Sequence, residues 1–277
     1  MSESLTGTAV MAERTFSVSR IPGFATVAIM VLVALYLPIA MLVTYSFNGG
    51  DSIAVWEGFS LQWYPRAWNN EHVREVTLRS LTIASSASLI ATVVATMAAL
   101  GTTRRRQTKG QTFIYLLINQ PLMVPEIVTA VALLIFFASI KVATGYQGLG
   151  YLIAAHSAFC IPFAYLPIRA RLEGMDKVLE TAAADLYASR WQSFRYVTLP
   201  LLTPGIIAGL MLAFVTSLDD VIITLFVKSA GQDTLPTYML GQIRRSVSAE
   251  INAISTLLLL LTVFLLALFF LLTRKRD

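Results

Sequence analysis

Residues 169–200 read RARLEGMDKVLETAAADLYASRWQSFRYVTLP. On either side the chain is apolar enough to cross a bilayer, yet this stretch holds Arg169, Arg171, Glu173, Asp176, Lys177, Glu180, Asp185, Arg190 and Arg195. Hydrocarbon does not hold so many charges, so the segment lies in water. After Gly174-Met175, Asp176 is placed to cap a helix, with Glu180 one turn further on. Val178, Leu179, Ala182, Ala183 and Leu186 follow at helical spacing. A second short amphipathic run carries Trp191, Phe194, Tyr196 and Val197, and Leu199-Pro200 closes it. The expectation is two short helices on the membrane surface, with a small-residue face suited to docking another protein.

Outward from this segment the composition is that of a membrane protein. Of 277 residues, 56% are hydrophobic and 13% charged, where a soluble domain carries about 25% charged residues. Mean hydropathy is +0.68. Six apolar runs, approximately 24–46, 79–101, 113–140, 149–168, 201–227 and 251–273, reach the length of about 20 residues that a spanning helix needs. They define an all-α, six-span domain over 24–273, with polar tails at 1–23 and 274–277. The second run carries Ser80, Thr82, Ser85, Ser86, Ser88, Thr92 and Thr96, and is expected to pack against protein rather than lipid.

Two-thirds of the 21 Lys and Arg fall on the side holding both tails, the 102–112 connection and 169–200. The positive-inside rule puts that side, with both termini, in the cytoplasm. The net charge of +5 therefore reflects topology, with Arg104-Arg105-Arg106 as an anchor and not a nucleic-acid patch. The single Cys160 lies in an apolar run and excludes a disulfide framework within the chain. The first apolar run is too long for a signal-peptide core.

On the outer side, Trp56, Trp63, Tyr64 and Trp68 read as interfacial anchors, with a short flat helix among them. A second short helix is expected near 238–247, after the Leu235-Pro236 break. Pro121 and Pro125 break the third run, placing Glu126 at the positive end of a helix dipole. Asp219 and Asp220 lie within the fifth run, where an ionised carboxylate costs about 2.5–3.5 kcal/mol or more. Helix neighbours point about 100° apart. One acid is therefore expected on a water-filled path, the other paired with Arg244, Arg245 or a second subunit. His156, one turn from Cys160, lacks a further metal ligand in register and reads as a hydrogen-bonded core histidine.

Residues 180–200 resemble the cytoplasmic EAA loop of binding-protein-dependent ABC importer permeases. That pattern is Glu-Ala-Ala, three residues, Gly, nine residues, a branched apolar residue, one residue, Leu-Pro. Leu199-Pro200, Val197 and Ala182-Ala183 match it, with Asp185 and Leu186 just before the Gly position. Thr181 stands at the Glu position, Glu180 being one place early, and Tyr187 stands at the Gly position. Because Tyr does not readily take positive φ, a remodelled turn or an altered partner surface is expected. Within that superfamily the chain most resembles spermidine/putrescine permeases. The stretches are PIAMLVTYSFN (38–48), PLMVPEI (121–127), HSAFCIPF (156–163), SLDD (217–220) and EINA (250–253).

The resemblance implies the type I ABC importer permease fold in a bacterial inner membrane. It implies a second homologous permease, two copies of a cytosolic ATPase and a periplasmic substrate-binding protein, with lipid around the spans. The chain has no phosphate-binding GxxxxGK[ST]. ATP and Mg are thus expected on the ATPase, with no cofactor, metal or catalytic residue in this chain. Glu180, Thr181, Ala182, Ala183, Asp185, Leu186, Tyr187, Leu199 and Pro200 would couple it to the ATPase. Asp219, Asp220, Glu126 and Tyr238 would line the path of a polyamine, as weak, spaced contacts that do not trap it. Alternatives are a permease for another cationic amine or organic solute, or a proton-coupled secondary transporter using the same acids. The latter has no use for the 180–200 pattern, and no inverted repeat is found.

Overall fold

The structure is a computed structural model that describes residues 23–51, 55–104, 110–146, 148–245 and 249–273. Both tails, and Arg105, Arg106 and Lys109, lie outside the described residues. Helices α1 (Phe24–Tyr45), α3 (Glu71–Thr103), α6 (Gly150–Glu173), α9 (Leu199–Asp219) and α12 (Ala249–Thr273) correspond to five of the apolar runs. The third run is two helices, α4 (Gln111–Met123) and α5 (Glu126–Thr144), separated at Val124-Pro125. Pro125 has no N–H to continue α4, and its fixed φ starts α5. The short helices are α2 (Trp63–Asn69), α7 (Val178–Asp185), α8 (Arg190–Ser193), α10 (Ile222–Val227) and α11 (Leu235–Arg245). A π-helical segment, Phe194–Thr198, joins α8 to α9. Among the described residues, six helices are long and apolar enough to cross a membrane.

The core is α3, α6 and α9, which pack on one another. On α3 the buried face carries Val73, Val76 and Ile83 toward its start and otherwise Ser80, Ala84, Ala87, Ser88, Ala91, Thr92, Ala95 and Ala99, a small-residue stripe at helical spacing. Small side chains let helix backbones approach closely in lipid, as expected from the polar content of this run. Opposite, α6 buries Leu152, Ala155, Phe159, Cys160, Ala164, Tyr165 and Ile168. The α6–α9 contact is closer still: a Cβ on Gly209 would lie 2.6 Å from the Ala164 carbonyl oxygen. At the periphery, α1 buries none of its residues and packs chiefly against α12.

Two boundaries and the setting of one side chain differ from the sequence reading. Helix α3 starts at Glu71 rather than near 79, because Asn70 caps it by accepting from the His72 and Val73 N–H groups. Helix α6 runs to Glu173, so Arg169, Arg171 and Glu173 form its last turn rather than a separate surface segment. Trp63 is no interfacial anchor. It is buried, and its indole N–H donates to the Asn48 carbonyl at 2.7 Å. Trp68, on the other face of α2, is 79% exposed.

Candidate functional site

The fifth apolar run does not cross as one helix. Helix α9 ends at Asp219, Asp220 is extended (ψ 133), and α10 begins at Ile222. The Asp220 carboxylate holds this break by accepting from the Ile223 N–H at 3.1 Å, the Thr224 N–H at 2.9 Å and the Thr224 hydroxyl at 3.0 Å. These amides are the unpaired donors of a helix start, and a capping carboxylate satisfies them. His156 of α6 completes the network. Its Nδ1 is 2.8 Å from Ser217 Oγ, and its Nε2 is 3.0 Å from Thr224 Oγ1 and 3.4 Å from Asp220 Oδ2.

The proton positions follow from the inventory of donors. Thr224 gives its one hydroxyl proton to Asp220, so it accepts from His156, which places the ring proton on Nε2. In the neutral ring Nδ1 then accepts from Ser217. His156 is therefore a hydrogen-bonded core residue, and Cys160 beside it points its thiol at the Ala213 carbonyl. Among the described residues, no three His, Cys, Asp or Glu side chains are grouped as a metal site requires.

The two adjacent acids thus have opposite environments. Asp220 is buried and fully engaged, whereas Asp219 is exposed on the last turn of α9. Asp220 finds its partner in His156, while Arg244 lines a different cavity. Glu126, in the first turn of α5 and half-buried, lies near the Asp220 carboxyl. Tyr238 is not part of this cluster. It packs edge-on against His72, ring centroids 5.0 Å apart, in a cavity of about 350 Å³ also lined by Lys228, Asp233, Thr237 and Arg244.

That cavity is tied to α3. Arg79 donates to the carbonyls of Gly231 and Asp233, and Ser80 accepts the Leu235 N–H at 2.7 Å. Asp233 pairs with Lys228. Partial burial of Asp233 works against its charge, but the Lys228 hydrogen bond and charge outweigh it, with Thr237 assisting. The carboxyl is held below its ordinary value of 3.8.

At the opposite end of the bundle lies the 174–198 element. Asp176 accepts the Val178 N–H at 2.9 Å, opening α7. Glu180 is turned inward: it lies 3.1 Å from Arg104 Nε at the end of α3 and accepts from the Thr198 hydroxyl at 3.1 Å. Thr181, Ala182, Asp185, Leu186 and Tyr187 are exposed, Ala183 and Leu199 half-buried, and Pro200 exposed. Helix α7 ends in a Schellman motif, with the Ala188 N–H bonded to the Ala183 carbonyl at 3.0 Å and Tyr187 to Ala184 at 2.9 Å. Tyr187 sits at the left-handed position with φ 60. The turn is therefore kept, not remodelled, despite the missing Gly. Ser189 then caps α8 in a reciprocal box with Gln192.

Sequence reasoning did not find Ser217, Thr224, Arg104 or Thr198 as partners. A signal for the first pair was present: Asp220 precedes the run Val221-Ile222-Ile223 as a capping residue would. Arg104 and Thr198 meet Glu180 only through tertiary packing.

The fold is shared with membrane chains of solved ABC transporters. A chain of the bacterial ABC transporter that imports the acidic polysaccharide alginate superposes with TM-score 0.68 at 13% identity, covering 91% of this chain and 93% of that one. One from the MetNI methionine ABC transporter gives 0.62 at 20% identity, covering 76% and 97%. Residues 82–275 match the family described as binding-protein-dependent transport system inner membrane component, and the chain belongs to that family. It is a multi-pass inner-membrane protein. Among curated relatives, the putrescine transport system permease protein PotI of Escherichia coli (strain K12) is 36% identical over 245 residues, 87% of each chain. The spermidine/putrescine transport system permease protein PotC of Haemophilus influenzae is 36% identical over 243 residues, 88% of this chain and 93% of the relative.

Proposed function

We propose that this chain is a permease subunit of an ATP-driven importer and forms half of the path by which a polyamine crosses the inner membrane. The observation that carries this reading is the likeness to putrescine and spermidine/putrescine permeases along nearly the whole chain. In this reading the 174–198 element and both termini face the cytoplasm. A second, homologous permease completes the path. Two copies of a cytosolic ATPase bind ATP and Mg and dock on the 174–198 element, and a periplasmic binding protein delivers the solute at the other end.

The geometry supports a division of labour between the two acids. Asp219, exposed where α9 stops, is the carboxylate able to meet a passing ammonium group. Asp220 is committed to the cap of α10 and to His156, so it holds the break open rather than contacting solute. A gap between α9 and α10 frees backbone groups at bilayer depth, which is tolerated where a cavity or protein satisfies them. Glu126 lies beside Asp220 and adds a second acceptor near the break. Tyr238 lines the outer cavity and offers a ring face to a cation. Closure of the ATPases moves α7. The Glu180 contacts with Arg104 and Thr198 pass that motion to α3 and, through the π-helical segment, to α9.

The test is ATP hydrolysis by the reconstituted complex, with and without binding protein loaded with putrescine or spermidine. Stimulation by loaded binding protein, abolished by Ala183→Arg, is the expected result. Hydrolysis indifferent to both the binding protein and the substitution would sink the reading.

A further inference from the structure

At the end of the bundle opposite the 174–198 element, between α2, α3, α11 and α12, lies a second cavity, of about 340 Å³. Its walls are apolar. Leu78 and Leu81 of α3, Leu218 of α9, Leu235 of α11, and Leu257 and Leu261 of α12 line it. Both hydroxyls in the wall are engaged within the chain. Thr77 donates to the Val73 carbonyl at 2.6 Å, and Ser80 accepts the Leu235 N–H at 2.7 Å. A cavity so poor in free polar groups holds water badly and takes an apolar occupant.

One charge faces this cavity. Arg74, one turn into α3, is exposed, and its guanidinium has no ion-pair or hydrogen-bond partner among the described residues. The nearby Glu75 is taken by Arg79. Trp68 of α2, 79% exposed, lines the same end. From Arg74 to Leu81 α3 advances about 10 Å, and from Ile254 to Leu261 α12 advances about as far. A cation and an indole at the water end, with hydrocarbon walls deeper in, match the order of groups in a phospholipid.

We propose that this cavity holds an acyl chain of an anionic phospholipid, whose phosphate pairs with Arg74 and whose headgroup lies against Trp68. A guanidinium meets phosphate oxygens through two parallel N–H donors. Net negative charge on the lipid matters because no carboxylate of this chain pairs with Arg74, and a zwitterionic headgroup brings its own cation to the same place. A helix from a second subunit does not fit. Two turns, 10–12 Å across and about 11 Å long, need more than twice the volume. Leu218 immediately precedes Asp219, so a chain in the cavity backs the end of α9 just before its break.

The experiment uses the assembled transporter in nanodiscs of equal parts phosphatidylcholine and phosphatidylglycerol. Native mass spectrometry after release into detergent counts the lipids retained. The wild type should keep phosphatidylglycerol in several-fold preference to phosphatidylcholine. Arg74→Gln should abolish that preference. Because Arg74 is exposed and unpaired within the chain, its thermal midpoint in phosphatidylcholine alone should equal that of the wild type. Leu81→Trp, which fills the deeper part, should lose the bound lipid with Arg74 intact. Glycerol phosphate, a headgroup without chains, should not displace it. A wild type without preference, a preference that survives Arg74→Gln, or full retention by Leu81→Trp overturns the proposal. Displacement by glycerol phosphate overturns it too, by showing an anion site that needs no chain. Cross-linking of Leu78→Cys to another subunit does the same, by showing that protein covers the cavity.

Discussion

Glu180 of α7 and Arg104 at the end of α3 form an ion pair, Oε1 to Nε 3.1 Å, that joins a surface element to a core helix. The carboxylate also takes the Thr198 hydroxyl, so three segments meet at one side chain.

Replacing Glu180 by Ala should cost about 1–3 kcal/mol, since it strands a largely buried guanidinium and a buried hydroxyl. The more telling effect is on coupling. In Glu180→Ala, basal ATP hydrolysis of the assembled complex should survive while its stimulation by loaded binding protein falls several-fold. Full stimulation in the variant would mean that motion reaches the spans by another route.

The adjacent acids should separate on mutation. Asp219→Asn is expected to leave the thermal midpoint unchanged and to lower polyamine uptake. Asp220→Ala, which removes the cap of α10 and the acceptor of the Thr224 hydroxyl that His156 leans on, should cost about 1–3 kcal/mol and reduce the yield of folded protein. Loss of a helix cap alone is worth about 1 kcal/mol, so a small effect at Asp220 would show that His156 contributes little. Uptake and midpoint measured on both variants settle which acid serves the path and which the fold.

Gly209 is a packing constraint. Any Cβ there meets the Ala164 carbonyl oxygen at 2.6 Å, and backbone cannot swing away as a side chain end does. Gly209→Ala should destabilise by about 1–3 kcal/mol through overpacking, read as a lower unfolding midpoint in detergent. Gly241, where a Cβ meets nothing within 4 Å, serves as the control.

Acid should loosen the 228–237 connection. The Asp233 carboxyl is held below 3.8 by Lys228. A depressed folded-state pKa gives stability that is complete above the unfolded value and lost as pH falls through the folded one. Amide exchange in this connection should therefore accelerate below about pH 4. In Lys228→Met only Thr237 and the charge of His72 are left to oppose burial, so the acceleration should begin at higher pH. Exchange that ignores pH in both proteins would show that the pair does not hold the connection.

Legibility in the sequence followed the kind of physics involved. Apolar runs and charge bias report on solvent, which acts residue by residue, so the six spans and the polar 169–200 element could be read directly. Helix ends in water could not. Glu71, Arg74 and Glu75 look like loop to hydropathy, yet the Asn70 cap carries α3 through them. The break at Asp220-Val221 is marked in sequence only by the two acids and is stabilised partly by His156, far away in sequence. Trp63 reads like Trp68 in sequence, and only the packing of α2 buries one and exposes the other. At Tyr187 the pattern marked an irregular residue correctly, but not that the backbone would accept strain to keep the turn.

Helix α1 buries none of its residues, and its main helix contact is with α12. Its place is therefore set by insertion into lipid rather than by the cooperative folding of α3, α6 and α9. A reporter on α1 would register what lies beside it in the membrane and stay silent when the core melts, so the two transitions can be followed separately in one molecule.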